Sequence, residues 1–162
     1  MRVAIISDTH MPRGSRRLPD ACIDRLREAD LIIHAGDLTG PSVLRQMAAY
    51  GELAAVHGNA DEPVVRKRLP ASLELNLAGA RLAIVHDAGR SDGRLGRLRH
   101  AFPGTDVVIF GHSHLPLHET DGEGFQIFNP GSPTERRRAP EKTMGIADIH
   151  RGRVEFQLVV LE

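Results

Sequence analysis

Aspartate, asparagine and histidine recur at one kind of place in this chain: directly after short apolar runs. Val3–Ile6 is followed by Ser7-Asp8-Thr9-His10, Leu31–Ile33 by His34-Ala35-Gly36-Asp37, and Leu53–Val56 by His57-Gly58-Asn59-Ala60-Asp61. The run ending at Val85 leads into His86 and Asp87, and Val107–Phe110 leads into Gly111-His112-Ser113-His114. Carboxylate, amide oxygen and imidazole without thiolate form a donor set suited to Mn²⁺, Fe, Zn²⁺ or Ni²⁺. Asp8, His10, Asp37, Asn59, His86, His112 and His114 exceed what one ion takes from protein while leaving room for substrate. They suit two ions sharing a carboxylate. Each piece alone has a blander reading: Asp37 and Asn59 beside glycine are common turn residues, and His86 after an apolar strand can be a packed core histidine. His112-x-His114 is sharper, because residues i and i+2 of an extended segment project to the same side. Recurrence at five strand ends outweighs the bland readings.

Strand ends matter because ligands of open α/β sheets bind outside the carboxyl ends of the strands. The continuous apolar runs predict strands buried on both faces. Between them, Cys22, Ile23 and Leu26 at helical spacing predict a helix over 19–28 starting at Pro19. Further short helices are expected at 41–50 and 62–69. Leu73–Leu77 and Arg81–Val85 predict a hairpin around Ala78-Gly79-Ala80. Ser91 or Asp92 is the expected cap of a helix burying Leu95, Leu98 and Phe102. The last third reads as strands at Phe125–Phe128, Thr143–Ile149 and Arg153–Leu161. In the last of these, Val154, Phe156, Leu158 and Val160 alternate with polar Glu155 and Gln157, the pattern of a sheet with one wet face. The expectation is a mixed α/β domain of two packed sheets with outer helices.

Bulk composition narrows the function classes. At 162 residues the chain fits one domain, spanning 1–162. Twenty-one basic residues against 21 acidic ones give no electrostatic support for extended nucleic-acid or membrane partners. The single Cys22 excludes an intrachain disulfide and suits a reducing compartment. Residues 1–10 lack the pattern of a secretion leader, and no apolar stretch approaches the roughly 20 residues that span a bilayer. A cytoplasmic location is expected, and assembly into a homo-oligomer is compatible with the sequence.

In order and spacing, SDTH (Ser7–His10), GD (Gly36-Asp37), GN (Gly58-Asn59), the His86 strand end and GHSH (Gly111–His114) resemble the calcineurin-like metallophosphoesterases. The short length and NPGS (Asn129–Ser132) look most like their small, single-domain phosphodiesterase branch of bacterial and archaeal type. The resemblance implies an α/β/β/α sandwich of four layers, two mixed sheets with outer helices, and a dinuclear metal site at the C-terminal strand ends. Asp8, His10 and His114 would hold the first ion, Asn59, His86 and His112 the second, and Asp37 would bridge them. Two divalent ions, Mn²⁺ first and Ni²⁺, Zn²⁺ or Fe as alternatives, against two aspartates leave a site of about +2 charge. Such a field favours a small anionic phosphoester. Asn59 adds an oxygen without adding negative charge.

The expected chemistry is two-metal hydrolysis of a small or nucleotide-like phosphoester, most naturally a diester, by in-line attack of a bridging hydroxide. Asp37, Asn59, Asp61 and His114 are the expected catalytic set. Two departures from the family pattern bear on it. Many relatives carry a histidine after the Gly-Asn pair that can protonate the leaving group; here Ala60 cannot. Asp87 and Ala88 separate His86 from Gly89, where glycine usually follows directly. Asp61 fits the role of orienting a neighbouring ligand. A phosphomonoesterase on the same centre is the nearest alternative, and a protein-binding scaffold of the same fold is another. Scaffold members have eroded ligand positions, and here all seven ligand types are present. His34 and His57 suit packing or outer roles, and His100, His118 and His150 read as surface. Glu135-Arg136-Arg137-Arg138 reads as a solvated charge run in a loop after NPGS, with phosphate or nucleic-acid binding by Arg136–Arg138 as the alternative. Gly89–Arg97 is a candidate mobile loop facing substrate.

Overall fold

A computed structural model describes residues 1–162. Five strands, β1 (Arg2–Ile6), β2 (Leu31–His34), β3 (Leu53–Ala55), β9 (Lys142–His150) and β10 (Arg153–Leu161), form one sheet in the order β10-β9-β1-β2-β3. The other sheet runs β4 (Ser72–Leu77), β5 (Ala80–Val85), β6 (Val107–Ile109), β8 (Gln126–Asn129) and β7 (Leu117–Thr120). Both are mixed: β1-β2-β3 and β5-β6-β8 pair in parallel, while β9, β10, β4 and β7 add antiparallel partners.

The period of two along each strand divides the apolar side chains between two cores. Val3, Ile5, Leu31 and Ile33 face inward to meet Leu82, Ile84, Val107, Ile109 and Phe128 between the sheets. Ala4, Ile6 and Ile32 face the other way, against Cys22 and Leu26 of α1 (Asp20–Glu28), Val43 and Met47 of α2 (Pro41–Tyr50) and Val65 of α3 (Pro63–Arg68). On the far side Ala83, Val108 and Ile127 pack against Leu98 of α4 (Arg94–Ala101). Continuous apolar strands are therefore covered on both faces, which gives the expected α/β/β/α order.

Local expectations need correction, first in β10, where the alternation breaks: Leu158 and Val160 are exposed while Val159 and Leu161 are buried. The first turn of α4 has no side-chain cap from Ser91 or Asp92; Gly93 precedes the helix in the left-handed region at φ 63°, and the Ser91 carbonyl accepts the Arg94 N–H. Strand β7 has no counterpart in the sequence reading, because its burial is shallow and lacks alternation. The Gly89–Arg97 segment is strapped rather than loose. The Arg97 guanidinium donates to the carbonyls of Ala88, Arg90 and Asp92. The hairpin turn lies as expected, with Ala78 and Gly79 at φ 47° and 88° between β4 and β5, the pairing of positive φ values that two-residue hairpins require.

Candidate metal centre

The strand ends of β1, β2, β3, β5 and β6 converge on one edge of the sandwich and bring two triads together. Asp8, His10 and His114 present one donor atom each within 4.8 Å of one another, and so do Asp37, His86 and His112. In the first triad His10 Nε2 lies 3.3 Å from His114 Nε2, and Asp8 Oδ1 lies 3.5 Å from His114 Nε2 and 3.8 Å from His10 Nε2. In the second, His86 Nε2 lies 3.3 Å from Asp37 Oδ2 and 3.3 Å from His112 Nδ1. Asn59 Oδ1 adds a seventh donor, 3.2 Å from His86 Nε2 and 3.1 Å from His112 Nδ1. Asp37 Oδ2 is also 3.5 Å from His10 Nε2, so this carboxylate touches a histidine of each triad.

Hydrogen bonds aim these donors inward. His86 donates through Nδ1 to the Ala35 carbonyl at 2.7 Å, and His114 through Nδ1 to the Glu135 carbonyl at 3.2 Å. A carbonyl only accepts, so each ring spends its Nδ1–H there and turns Nε2 toward the centre, where it can ligate once the ring is neutral. Asp8 Oδ2 accepts from the Ser7 hydroxyl at 2.7 Å and the His112 N–H at 2.9 Å, while Oδ1 is buried with no hydrogen-bond partner. An orphaned buried carboxylate oxygen facing two imidazole nitrogens is the signature of a cation-binding position, since a buried charge otherwise demands compensation. The residues present fit two divalent ions.

The chain's relatives agree with that reading. The calcineurin-like phosphoesterase superfamily domain matches residues 1–152. The chain belongs to this superfamily. It is 34% identical over 146 residues to a probable metallophosphoesterase of Methanothermobacter thermautotrophicus, covering 89% of this chain and 84% of that one. To a probable metallophosphoesterase of Methanocaldococcus jannaschii it is 32% identical, covering 100% and 82%. Among solved structures, a Thermotoga maritima protein superimposes with TM-score 0.77 at 31% identity over 99% of each chain. Vps29 of Entamoeba histolytica in complex with zinc shares the fold at TM-score 0.79 and 21% identity over 99% of each chain.

What distinguishes this phosphoesterase site locally is its backbone. Asp8, His10, Asp37, His112 and His114 all sit at positive φ, between 45° and 70°. Each non-glycine residue held there costs about 1–3 kcal/mol unless its surroundings over-determine it. This corrects the extended reading of His112-x-His114: the segment is not extended, and the two rings go to different triads. Compensation comes from neighbouring loops. Asp8 and His10 N–H groups donate to the Gly36 and Asp37 carbonyls. Ser132 Oγ donates to the Asp8 carbonyl at 2.9 Å and Thr134 Oγ1 to the Thr9 carbonyl at 2.7 Å. Asn129 Nδ2 donates to the Gly111 carbonyl at 3.0 Å. The glycines of two motifs serve close approach: a Cβ on Gly58 would fall 2.1 Å from Asp37 Oδ1, and one on Gly111 would fall 1.9 Å from Ser7 Oγ.

Asp61 is buried and belongs to neither triad. Its oxygens accept three backbone N–H groups: Gly58 at 2.7 Å and Asp37 at 3.0 Å on Oδ2, and Thr39 at 2.7 Å on Oδ1. It thereby ties the Asp37 loop to the Asn59 loop. His34, fully buried, accepts the Gly36 N–H at 3.2 Å and pairs with Thr9 Oγ1 at 3.1 Å; burial pushes its pKa down to about 3. His57 and Asp87 line a cavity of about 300 Å³ beside the second triad, together with Asn59, Arg66 and Val85. Thr134 is a contributor that sequence reasoning missed, and Glu135 was read only as part of a solvated charge run; their one signal was position, shortly after NPGS.

Electrostatics separates the triads. Burial pushes the Asp37 carboxyl up, but the hydrogen bond and charge of His86, with the Ala60 N–H, hold it down at about 2. Burial pushes His86 down, and Asp37 and Asp8 outweigh it, raising the ring to about 9. His114 goes the other way: burial lowers it, and the Asp8 charge and the Glu135 carbonyl do not restore it.

Proposed function

We propose that this chain, acting as one domain, is a dinuclear metal-dependent phosphodiesterase for small or nucleotide-like phosphoesters. Asp8, His10 and His114 would hold the first ion and Asn59, His86 and His112 the second, with Asp37 shared between them. The observation that carries the reading is the pair of triads joined through Asp37, with the unpartnered Asp8 Oδ1 facing them. Two bound divalent ions supply Lewis acidity and a water of lowered pKa; Mn²⁺ is the first candidate.

The protein's own groups orient and exclude. Asn59 offers the second position an oxygen without adding negative charge, which would preserve a net positive field for an anionic substrate. Asp61 fixes Asp37 through its backbone. Ala60 stands where a proton donor to the leaving group would sit, so the site favours leaving groups that depart as stable anions. The cavity beside Asn59 offers room for an organic substituent, with Arg66 and Asp87 at its wall.

A metal-by-substrate screen tests this. Hydrolysis of p-nitrophenyl diesters with Mn²⁺, exceeding that of alkyl diesters and of p-nitrophenyl phosphate, is the expected result. A faster monoester reaction would replace the diesterase reading by a phosphomonoesterase. No turnover with Mn²⁺, Ni²⁺, Zn²⁺ or Fe²⁺ would remove the enzyme reading altogether.

A further inference from the structure

Two loops flank the first triad, and both are rich in arginine. Residues 11–18 leave His10 and carry Arg13, Arg16 and Arg17; residues 130–141 are pinned to Asp8 and Thr9 and carry Arg136, Arg137 and Arg138. Glu135 joins them. Its Oε1 accepts from Arg16 Nη2 at 2.8 Å, and its Oε2 lies 3.7 Å from Arg137 Nε. The same Oε2 is 3.9 Å from His114 Nδ1, and the Glu135 carbonyl accepts that ring's N–H. The Arg16 guanidinium is thus hydrogen-bonded to the residue whose carbonyl holds His114, and the Arg137 guanidinium lies within ion-pair distance of the same carboxylate. One carboxylate cannot neutralise two guanidiniums, and both side chains keep solvent-facing surface, 31% and 49%.

The opposite flank differs. The cavity beside the second triad balances Arg66 against Asp87 and is otherwise walled by small, apolar and imidazole groups. A simple ester needs only the triads. A cationic clamp on one side and a neutral cavity on the other suit a substrate with a second anionic group at one end.

We infer that Arg16 and Arg137, held by Glu135, form a subsite for a second phosphate, so that the substrate is a phosphoester bearing a further phosphate group, as in a nucleoside bisphosphate. The inference rests on the phosphodiesterase reading and specifies its substrate class. Planar guanidiniums match phosphate oxygens in paired, charge-assisted hydrogen bonds.

The test compares the p-nitrophenyl ester of a nucleoside 5′-phosphate with and without a 3′-phosphate, in the wild type and in Arg16→Ala/Arg137→Ala. The wild type is expected to prefer the second-phosphate ester in kcat/KM, and the double variant to lose that preference by roughly ten- to a hundredfold. A wild type that treats both esters alike, or a variant that loses equally on both, overturns the subsite. Equilibrium binding of nucleoside 3′,5′-bisphosphate to metal-free protein provides a separate readout: binding that weakens at least about tenfold in the double variant supports it, and unchanged binding overturns it. If the wild type hydrolyses neither ester, the phosphodiesterase reading fails and this binding measurement alone decides the subsite. Oligonucleotides whose affinity climbs with each added nucleotide would overturn the small-substrate class.

Discussion

The two triads contain the same residue types in the same proportions and are held in different ways. Asp8, His10 and His114 are all buried, and the Ser132 and Thr134 hydroxyls clamp the Asp8 and Thr9 carbonyls from behind. Asp37 and His86 are buried as well, but His112 and Asn59 are exposed. One position is closed by protein, whereas the other opens onto the cavity. On the proposed reading, an ion in the closed position would be released slowly, and the open position would be the one that exchanges with solvent. Asp37 is the group through which the two communicate.

Removing that shared carboxylate is the strongest way to break the comparison. Asp37→Asn is expected to lower diester hydrolysis by at least about a hundredfold, beyond the usual effect of an outer partner, and to reduce metal content at both positions. Turnover at the wild-type rate would show that the triads do not share Asp37.

Separating the triads comes next. His112→Ala is expected to bind one ion per chain and His114→Ala to lose the more slowly released ion, both read by metal analysis after gel filtration. With the wild type, a chelator should remove the two ions in two phases, the faster one missing in His112→Ala. A single phase would erase the difference between closed and open positions.

Asp61 sharpens the comparison from outside the triads. Asp61→Ala leaves three backbone donors without their acceptor, each worth about 1–3 kcal/mol when truly orphaned. With water admitted in part, a loss of about 2–4 kcal/mol is expected in denaturant unfolding. Metal affinity should fall at the second position more than at the first, because Gly58 and Asp37 lose their tether there. Equal weakening at both would assign Asp61 a purely global role.

The strand-end positions of Asp8, Asp37, Asn59, His86 and His112 were legible because apolar runs and polar punctuation are both local signals. So was the layer order, since runs such as Val3–Ile6 are apolar at every position and need cover on both faces. The division of His112 and His114 between triads was legible only through the family resemblance, and local spacing pointed the other way, to one shared side. It depends on left-handed backbone at both residues, and that conformation is enforced by contacts more than a hundred residues away, such as Asp8 Oδ2 on the His112 N–H. Glu135 escaped for a related reason: its link to Arg16 spans 119 positions, beyond any spacing rule. Strand β7 pairs only with β8 at a sheet edge, and none of its residues is buried, so it carries no burial pattern to read.

The smallest effect concerns protons, and it separates the triads by sign. In the metal-free protein His86 is raised to about 9 by Asp37 and Asp8 despite its burial, whereas His114 is lowered chiefly by burial. A ring raised above its unfolded value of about 6.5 stabilises the fold fully below that pH, and the contribution is lost as pH rises through 9. Asp37, depressed to about 2, contributes above its unfolded value of about 3.9, and that contribution is lost as pH falls through 2. From this pair the metal-free protein should be most stable between about pH 4 and 6.5. An ion at the second position must displace the His86 proton, because only the neutral ring is a ligand. Calorimetric titration with Mn²⁺ at pH 7 in buffers of different ionisation enthalpy should therefore detect about one proton released with the second ion and fewer with the first. Affinity at the second position should rise toward pH 9 and then level, while the first position levels earlier. Equal proton release at both positions would mean that Asp37 and Asp8 serve the two triads alike, and that the open and closed positions differ in access alone.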